Sequence, residues 1–500
     1  MVTSQRAMGE SSYDVLPYED YVFPETHPEH LHTVARYFGH DAPDFTRCRV
    51  LEIGCARGGN LLPMAVDLPE SQFVGIDLSS RQIEDARAVV SRVGLRNVEL
   101  RAASVTDIDA SLGSFDFIVC HGVYSWVPPA VRAAILRACQ ALLTPNGVAY
   151  VSYNTLPGWT TPGTLRDLLL QRVPTPLGPF DRIVAARSTL RAFGNSIRSQ
   201  RSPTADALRA EIASLEHVDD TYFFHEFLEE FNEPTYLVDF ARAARAVGLA
   251  HLADARLHVA AIGASAEDGP HDGETSRDSI AREQLADFVS NRRFRMSLLV
   301  RDEPVRTIAH APAALDSFRL SSRAELARSA SESDLRSDRS LAFVVDGEKF
   351  SLHDPADKCA LVTLVENVRR PVAYRDVVAQ TSARARIDTV ATELRLASGE
   401  SLRALVHRGI VELNASPARY AARAGTHPVA SVLVRDQARL GPCAANARHR
   451  LIDLEPLERK LLPLLDGTRD RDALAREVSA NRAQCEQALE WLAMNALIVG

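Results

Sequence analysis

Short apolar runs alternate with amphipathic stretches along the first third of the chain. The amphipathic stretches have helical spacing and lie near 59–68, 79–93 and 129–143. The apolar runs are shorter and predict strands at 49–53, 72–77, 97–102, 115–120 and 147–153. Strands that alternate with helices at this spacing imply right-handed crossovers, so we predict a doubly wound, Rossmann-like α/β sheet.

The sheet pattern stops after Tyr153 and returns only after a long helical segment. Residues 160–232 read as helical and are interpreted as an insertion over the active edge of the sheet. An amphipathic helix at 236–247 and apolar runs at 249–253 and 257–262 follow. These predict a last helix and a closing hairpin.

The last third contains two units of similar shape, each with three short helices and flanking strands, as is typical of winged-helix modules. Polar stretches at 264–280 and 321–340 precede them as predicted linkers. The predicted domains are an α/β domain with an N-terminal arm, a helical insertion with the sheet closure, a middle winged-helix-like domain and a C-terminal winged-helix domain. Their bounds are 1–160, 161–305, 306–425 and 426–500.

Composition narrows the choice of partners and compartment. The chain of 500 residues carries a formal charge of −8, so no overall positive field favours nucleic acid. Its 7 cysteines are scattered without a C-x-x-C pair, and no apolar run is long enough for a bilayer. No secretory signal is visible, which favours a cytoplasmic protein.

His225-Glu226 lacks a second histidine at H-E-x-x-H spacing, so no metal site is expected.

A glycine-rich turn follows the first predicted strand. A dinucleotide site requires G-x-G-x-x-G, but the same offsets here read Gly54, Ala56 and Gly59. The methyl group of Ala56 occupies the position where the backbone would have to approach a pyrophosphate closely, and the carboxylate of Glu52 would repel phosphate. The Glu52 carboxylate suits a cationic amino acid tail, and Asp77 ends the second strand, where it can hold ribose hydroxyls. The turn therefore favours S-adenosylmethionine over NAD, although an ordinary strand–turn–helix corner stays open.

Further cofactor contacts are predicted at the carboxyl ends of the neighbouring strands. Gly58 permits close approach within the turn, and Leu78 follows Asp77. Ser104 and Val105 follow the third strand and should lie beside the adenine. His121 follows the fourth strand and is predicted both to bind the cofactor and to contribute to the acceptor pocket.

The acceptor should face the loop that follows the fourth strand. His121, Tyr124 and Trp126 can line a narrow pocket there and contact an amine through their ring faces. A packed aromatic corner is the alternative. Since a free lysine amine is mostly protonated at neutral pH, the site must lower its pKa or remove the proton through water. His121 and Tyr124 are candidates for orienting the amine, and no dedicated base is assigned.

Several longer motifs resemble one known family. They are Tyr-Asp-x-x-Pro-Tyr at 13–18, Thr-His-Pro at 26–28, Val-Leu-Glu-Ile-Gly-Cys at 50–55, Phe-Val-Gly-Ile-Asp-Leu-Ser at 73–79, His-Gly-Val-Tyr-Ser-Trp-Val-Pro at 121–128, Tyr-Phe-Phe-His-Glu-Phe-Leu-Glu at 222–229 and Leu-Leu-Asp-Gly-Thr at 464–468. The chain is similar to bacterial class I methyltransferases with a methyltransferase regulatory domain, a family that includes lysine methyltransferases acting on outer-membrane proteins.

The resemblance implies S-adenosylmethionine as cofactor and a protein substrate, such as an outer-membrane protein before export. It also implies downstream domains that select the substrate and allow a homodimer. Ala56 and Ser104 depart from the family pattern. Two alternatives stay open: a small-molecule methyltransferase, and a non-catalytic protein that binds the cofactor or a partner.

Overall fold

Seven strands form the central sheet of the computed structural model, which describes residues 15–16, 21–257, 276–302, 312–367, 370–397 and 402–499. They are β1 (Arg49–Ile53), β2 (Gln72–Asp77), β3 (Val98–Ala102), β4 (Phe115–Cys120), β5 (Leu143–Asn154), β6 (Leu249–Asp254) and β7 (Phe294–Arg301). Their order is β3-β2-β1-β4-β5-β7-β6. All neighbours pair in parallel from β3 to β5, whereas β7 is antiparallel to both β5 and β6.

Both faces of this sheet are covered by helices. Successive strand residues point to opposite faces, so Val50 packs into one hydrophobic cluster and Leu51 into another. The helices of this part are α1 (Pro28–Tyr37), α2 (Leu61–Asp67), α3 (Ser80–Val93) and α4 (Pro129–Leu142). The strand order reverses between β1 and β4, and at such a switch point the carboxyl ends of the strands leave a crevice.

The predicted strands of the first third are confirmed, and the strand predicted at 249–253 corresponds to β6. β5 begins earlier than expected, with a register shift opposite Phe115 and Phe117. The partner of β6 is β7, whereas the predicted strand at 257–262 lies, apart from Leu257, outside the described residues.

The helical insertion packs as a unit with its own hydrophobic cluster. It contains α5 (Thr160–Arg172), α6 (Pro179–Ser196), α7 (Pro203–Leu215) and α8 (Asp220–Phe227), and α9 (Leu237–Arg245) then returns to the sheet. His225 of α8 contacts Glu229 at 2.8 Å and the Leu16 carbonyl at 2.7 Å, so it braces the N-terminal arm.

A buried arginine makes β7 difficult to recognise from the sequence. Arg295 is fully buried within this strand, where its guanidinium contacts Asp287 at 2.8 Å and Glu283 at 2.7 Å. Both carboxylates belong to α10 (Ser276–Ser290), which begins inside the stretch 264–280 that was predicted to be a linker. An arginine at a core position interrupts the apolar pattern of a strand, so the pairing could not be read locally.

Two further hydrophobic cores follow toward the C-terminus. The helices that form the first core are α11 (Glu332–Arg336), α12 (Pro355–Glu366), α13 (Tyr374–Ala385), α14 (Thr389–Ala397) and α15 (Leu402–His407). The strands of this unit are β8 (Arg319–Ser322), β9 (Glu325–Leu326), β10 (Leu341–Val345), β11 (Glu348–Leu352), β12 (Val372–Ala373) and β13 (Val411–Asn414). The stretch 321–340 is therefore part of this unit rather than a linker.

The second core contains α16 (Val432–Leu440), α17 (Pro456–Leu461), α18 (Arg471–Glu477), α19 (Arg482–Met494), β14 (Cys443–Ala445) and β15 (Leu451–Asp453). Among the described residues, no helix combines the length and apolar character that a membrane crossing requires.

Candidate functional site

The turn after β1 is held in a conformation that few side chains tolerate. Gly54, Ala56 and Gly58 have positive φ angles of 79°, 47° and 80°. A Cβ atom on Gly54 would lie 2.5 Å from the Cγ2 atom of Val123, so glycine is required there for two reasons. The same contact shows that the turn and the loop after β4 lie side by side at the switch point.

Asp77 connects this turn to the end of β2. One carboxylate oxygen accepts a hydrogen bond of 2.9 Å from the Ala56 amide, and the other accepts one of 2.9 Å from the Ser79 amide. A carboxylate at the carboxyl end of a parallel strand is a group suited to accept hydrogen bonds from ribose hydroxyls. Leu78 follows and is 79% exposed, so it presents an apolar surface beside a polar group.

Glu52 is a buried carboxylate whose hydrogen bonding is incomplete. It is 3% exposed, and its Oε1 atom accepts a hydrogen bond of 2.7 Å from Asn60 Nδ2. Its Oε2 atom has no hydrogen-bond partner within the part of the chain that the structure describes. Burial raises its pKa to about 7; the charge of Asp77 adds to this effect, whereas the Asn60 hydrogen bond opposes it. A buried unpaired carboxylate is costly, so this position favours a cationic ligand.

Asn60 is a functional candidate that the sequence analysis did not identify. Its Oδ1 atom accepts hydrogen bonds from the Phe23 amide at 3.0 Å and from His449 Nε2 at 2.8 Å. Its Nδ2 atom donates to Glu52. Only its position just before α2, facing the same side as Glu52, could have pointed to it. No local pattern connects it to His449.

His121 lies between the N-terminal arm and the sheet. Its ring stacks on Phe23 with a centroid distance of 3.6 Å, and its Nδ1 atom is 2.8 Å from the Tyr150 hydroxyl. Burial, followed by the charge of Arg256, lowers the pKa of His121 to about 3. The imidazole is therefore neutral at physiological pH and can act by packing and hydrogen bonding.

The remaining two residues of the predicted acceptor pocket have different surroundings. Tyr124 is 5% exposed and packs edge-on against Phe240 at a centroid distance of 5.3 Å, while burial raises its pKa. Trp126 is half-buried in the same short 3-10 helix, Tyr124–Trp126. The structure thus brings His121 and Trp126 to the edge and places Tyr124 in the core; the roles of all three stay predictions.

Asn154, at the end of β5, links the acceptor loop to the helical insertion. Its backbone amide donates to Ser125 Oγ at 2.9 Å, and its Nδ2 atom donates to Asn232 Oδ1 at 3.0 Å. Burial raises the pKa of Glu226 to about 8, against the opposing effects of Asn154 and Arg166. A carboxyl group that titrates near neutrality beside the acceptor loop is a candidate proton acceptor.

Ser104 and Val105 lie where the sequence predicted them, beyond the end of β3. The Ala103 amide donates to the Asp77 carbonyl at 2.9 Å, which brings this segment beside Asp77. Ser104 Oγ bonds Thr106 Oγ1 at 2.8 Å, and Val105 packs against the sheet core. Among the described residues, no group of three or more His, Cys, Asp or Glu side chains could hold a metal ion.

Comparisons with known proteins agree with this architecture. Residues 50–147 match the family described as "Methyltransferase domain", residues 219–301 match "Predicted methyltransferase regulatory domain", and residues 427–496 match "PKMT, C-terminal winged helix domain". The uncharacterized protein RP789 of Rickettsia prowazekii is 34% identical over 474 residues, which cover 93% of this chain and 85% of that protein.

A solved structure is similar over almost the whole chain. PKMT2 from Rickettsia typhi, in complex with AdoHcy, is 28% identical, covers 97% of this chain and 100% of its own, and superposes with a TM-score of 0.84. A ubiquinone biosynthesis O-methyltransferase of Neisseria meningitidis is 28% identical over 183 residues, 35% of this chain and 75% of that enzyme.

The fold and the matched domains define a methyltransferase that uses S-adenosylmethionine. The chain belongs to the family of methyltransferases that combine a methyltransferase regulatory domain with a PKMT C-terminal winged-helix domain. The family and the cofactor predicted from the sequence are thereby confirmed.

Proposed function

We propose that this enzyme transfers methyl groups from S-adenosylmethionine to lysine side chains of proteins. The observation that carries the proposal is the likeness to PKMT2 across the catalytic, insertion and C-terminal parts together. The O-methyltransferase relative covers only 35% of this chain. The downstream parts would be superfluous for a small acceptor, whereas a protein acceptor needs a larger contact surface.

The candidate site fits the cofactor in charge and shape. The unpaired Oε2 atom of Glu52 would receive the ammonium group, and Gly54 and Gly58 would let the amino acid tail approach the backbone. Asp77 would hold the ribose hydroxyls. The adenine would lie between groups at the ends of two neighbouring strands: Leu78, Ser104 and Val105.

Methyl transfer requires positioning more than acid–base catalysis. When bound, S-adenosylmethionine supplies the methyl group, and its sulfur leaves with the electrons of the broken C–S bond. The acceptor nitrogen must therefore present a lone pair in line with that bond. Neutral His121, packed under Phe23, would exclude water from this region, and Trp126 would line the acceptor side.

Glu226 would serve the acceptor amine. A lysine enters as an ammonium ion, and one proton must leave before the nitrogen can attack. The Glu226 carboxyl group, whose pKa is raised to about 8, would release its own proton to solvent as the ammonium group approaches, pair with that group and then accept its proton. Asn154, whose effect opposes the rise in the Glu226 pKa, would favour the ionised form of that carboxyl group.

The finer identity of the partner is also part of the proposal. The sequence resemblance implies an outer-membrane protein, methylated before export, and a homodimeric, cytoplasmic enzyme. A small-molecule acceptor is the competing function, and the O-methyltransferase relative favours it for the catalytic portion.

Product analysis distinguishes the two functions. Purified enzyme is incubated with S-adenosylmethionine labelled in the methyl group and with a bacterial lysate, and protein and small-molecule fractions are separated. We expect label in protein that survives acid hydrolysis as methylated lysine. Label only in the small-molecule fraction, or no transfer, would contradict the proposal. The Glu52→Gln variant serves as the control for transfer by other enzymes in the lysate.

A further inference from the structure

A residue of the C-terminal domain reaches into the candidate cofactor site. His449 lies in the turn between β14 and β15 and is only 4% exposed. Its Nε2 atom is 2.8 Å from Asn60 Oδ1, and Asn60 Nδ2 is in turn 2.7 Å from Glu52 Oε1. Two hydrogen bonds therefore separate the C-terminal domain from the carboxylate proposed to hold the cofactor.

The direction of these hydrogen bonds follows from a backbone donor. The Phe23 amide can only donate, and it contacts the same Asn60 atom as His449 does, so that atom is the carbonyl oxygen. His449 must then donate through Nε2, and the amide nitrogen of Asn60 must face Glu52. Burial lowers the pKa of His449 well below its ordinary value, which keeps the ring neutral with one proton for this purpose.

The turn that carries His449 is held rigidly. Asn446 accepts hydrogen bonds through its side chain from the Arg448 amide at 3.0 Å and the Arg450 amide at 2.9 Å. His449 itself has a φ angle of 54°, a left-handed conformation that costs energy for a residue with a side chain. Strained backbone persists where the surroundings over-determine it, and here the result is an imidazole aimed at Asn60.

A partly buried ion network connects this region to the catalytic domain. Arg419 contacts Asp67 at 2.6 Å and Glu29 at 2.7 Å, and His27 contacts Asp67 at 3.2 Å. Burial alone would raise the pKa of Asp67, but hydrogen bonds and charges from His27 and Arg419 hold it well below the usual range. The segment before the C-terminal domain is thus anchored beside α2, whose first turn follows Asn60.

We propose that His449 is a positioning residue of the cofactor site, so that the C-terminal domain completes this site. By holding the Asn60 carbonyl, His449 keeps the Asn60 amide nitrogen on Glu52 Oε1 and leaves Oε2 toward the ligand ammonium. Without it, the Asn60 carbonyl keeps only the Phe23 amide and the Thr26 hydroxyl as donors, so the Asn60 amide is held less firmly against Glu52. The inference rests on the proposed contact between Glu52 and the cofactor's ammonium group.

Calorimetric titration of the full chain with two ligands tests the proposal. S-adenosylmethionine carries the ammonium group, whereas 5′-methylthioadenosine retains the nucleoside and lacks the amino acid tail. For His449→Ala we expect the Kd for S-adenosylmethionine to rise about fivefold to tenfold, the equivalent of one lost hydrogen bond, with the Kd for methylthioadenosine unchanged. His449→Gln, which keeps an N–H donor, should recover most of the loss.

Asp436→Asn is the matched control within the same interface. Asp436 of α16 accepts two hydrogen bonds of 2.8 Å from Arg92 of α3, away from Asn60. It should leave both Kd values unchanged. Equal weakening by Asp436→Asn and His449→Ala would show that general docking is responsible and would overturn the proposal, as would unchanged binding in His449→Ala. If the wild type binds both ligands equally well, the Glu52 contact itself is wrong.

Discussion

The ionisation of Glu52 should oppose folding when no cofactor is bound. Burial raises the pKa of this carboxyl group from its ordinary value of 4.5 to about 7. The difference corresponds to about 3 kcal/mol of unfolding free energy. Because the pKa is raised in the folded state, this stability is fully present below pH 4.5 and is lost as the pH rises through about 7.

Glu52→Gln removes the charge and keeps the acceptor oxygen for Asn60 Nδ2. At pH 8 and without ligand, we expect the free energy of unfolding of the variant to be about 3 kcal/mol higher than that of the wild type. This corresponds to an increase of about 6–12 °C in the unfolding temperature of the catalytic domain. Most of that gain should disappear at pH 5, where wild-type Glu52 is protonated. Thermal unfolding followed by circular dichroism at both pH values measures the difference.

The same variant should lose cofactor affinity. Wild-type binding of S-adenosylmethionine should weaken about tenfold for each pH unit below about 7, since only the ionised carboxylate pairs with the ammonium group. The Glu52→Gln variant should bind S-adenosylmethionine weakly, and its affinity should not depend on pH in this range. Glu84→Gln, on the exposed face of α3, is the control and should change neither property. A Glu52→Gln variant no more stable than the wild type at pH 8 would refute the reasoning.

Three further outcomes are expected. Gly54→Ala should destabilise the enzyme by about 1–3 kcal/mol, because its Cβ would lie 2.5 Å from Val123; Gly122→Ala also has a positive φ but open space, so it should lower the melting temperature less. His121, with its pKa lowered to about 3, should show neutral-imidazole NMR shifts from pH 5 to 8; a titration there would contradict its burial. Glu226→Gln should lower kcat about 100-fold and remove an inflection near pH 8, and an unchanged pH profile would exclude Glu226 as proton acceptor.

The sequence predicted the parts of the fold that depend on neighbouring residues. β1, β2 and β4 have the predicted bounds because buried parallel strands are continuous apolar runs, and each is followed by turn or helix signals. The positive φ angle at position 54 likewise explains why a glycine is found there. Glu52 and Asp77 lie beside the same turn. Short-range patterns of this kind need no knowledge of the rest of the chain.

The parts that were missed depend on contacts between distant segments. β7 was overlooked because Arg295 sits in the core, and its charge is satisfied by carboxylates of a preceding helix. Asn60 and His449 are separated by 389 residues, and neither belongs to a recognisable motif. Burial raises the pKa of Glu226 to about 8, and this burial arises only when the insertion has folded. No spacing rule connects such residues, so the structure is needed to bring them together.

The candidate cofactor site is closed by segments from both ends of the chain. Phe23 of the N-terminal arm and His449 of the C-terminal domain both donate to the Asn60 carbonyl, and Asn60 donates to Oε1 of Glu52, whose Oε2 atom has no partner among the described residues. Coupling between two binding equilibria is reciprocal. If docking of the C-terminal domain strengthens cofactor binding by a given factor, the cofactor must strengthen docking by the same factor. A protein substrate that contacts this domain would then find it better ordered when the methyl donor is already bound, which favours binding of donor before acceptor.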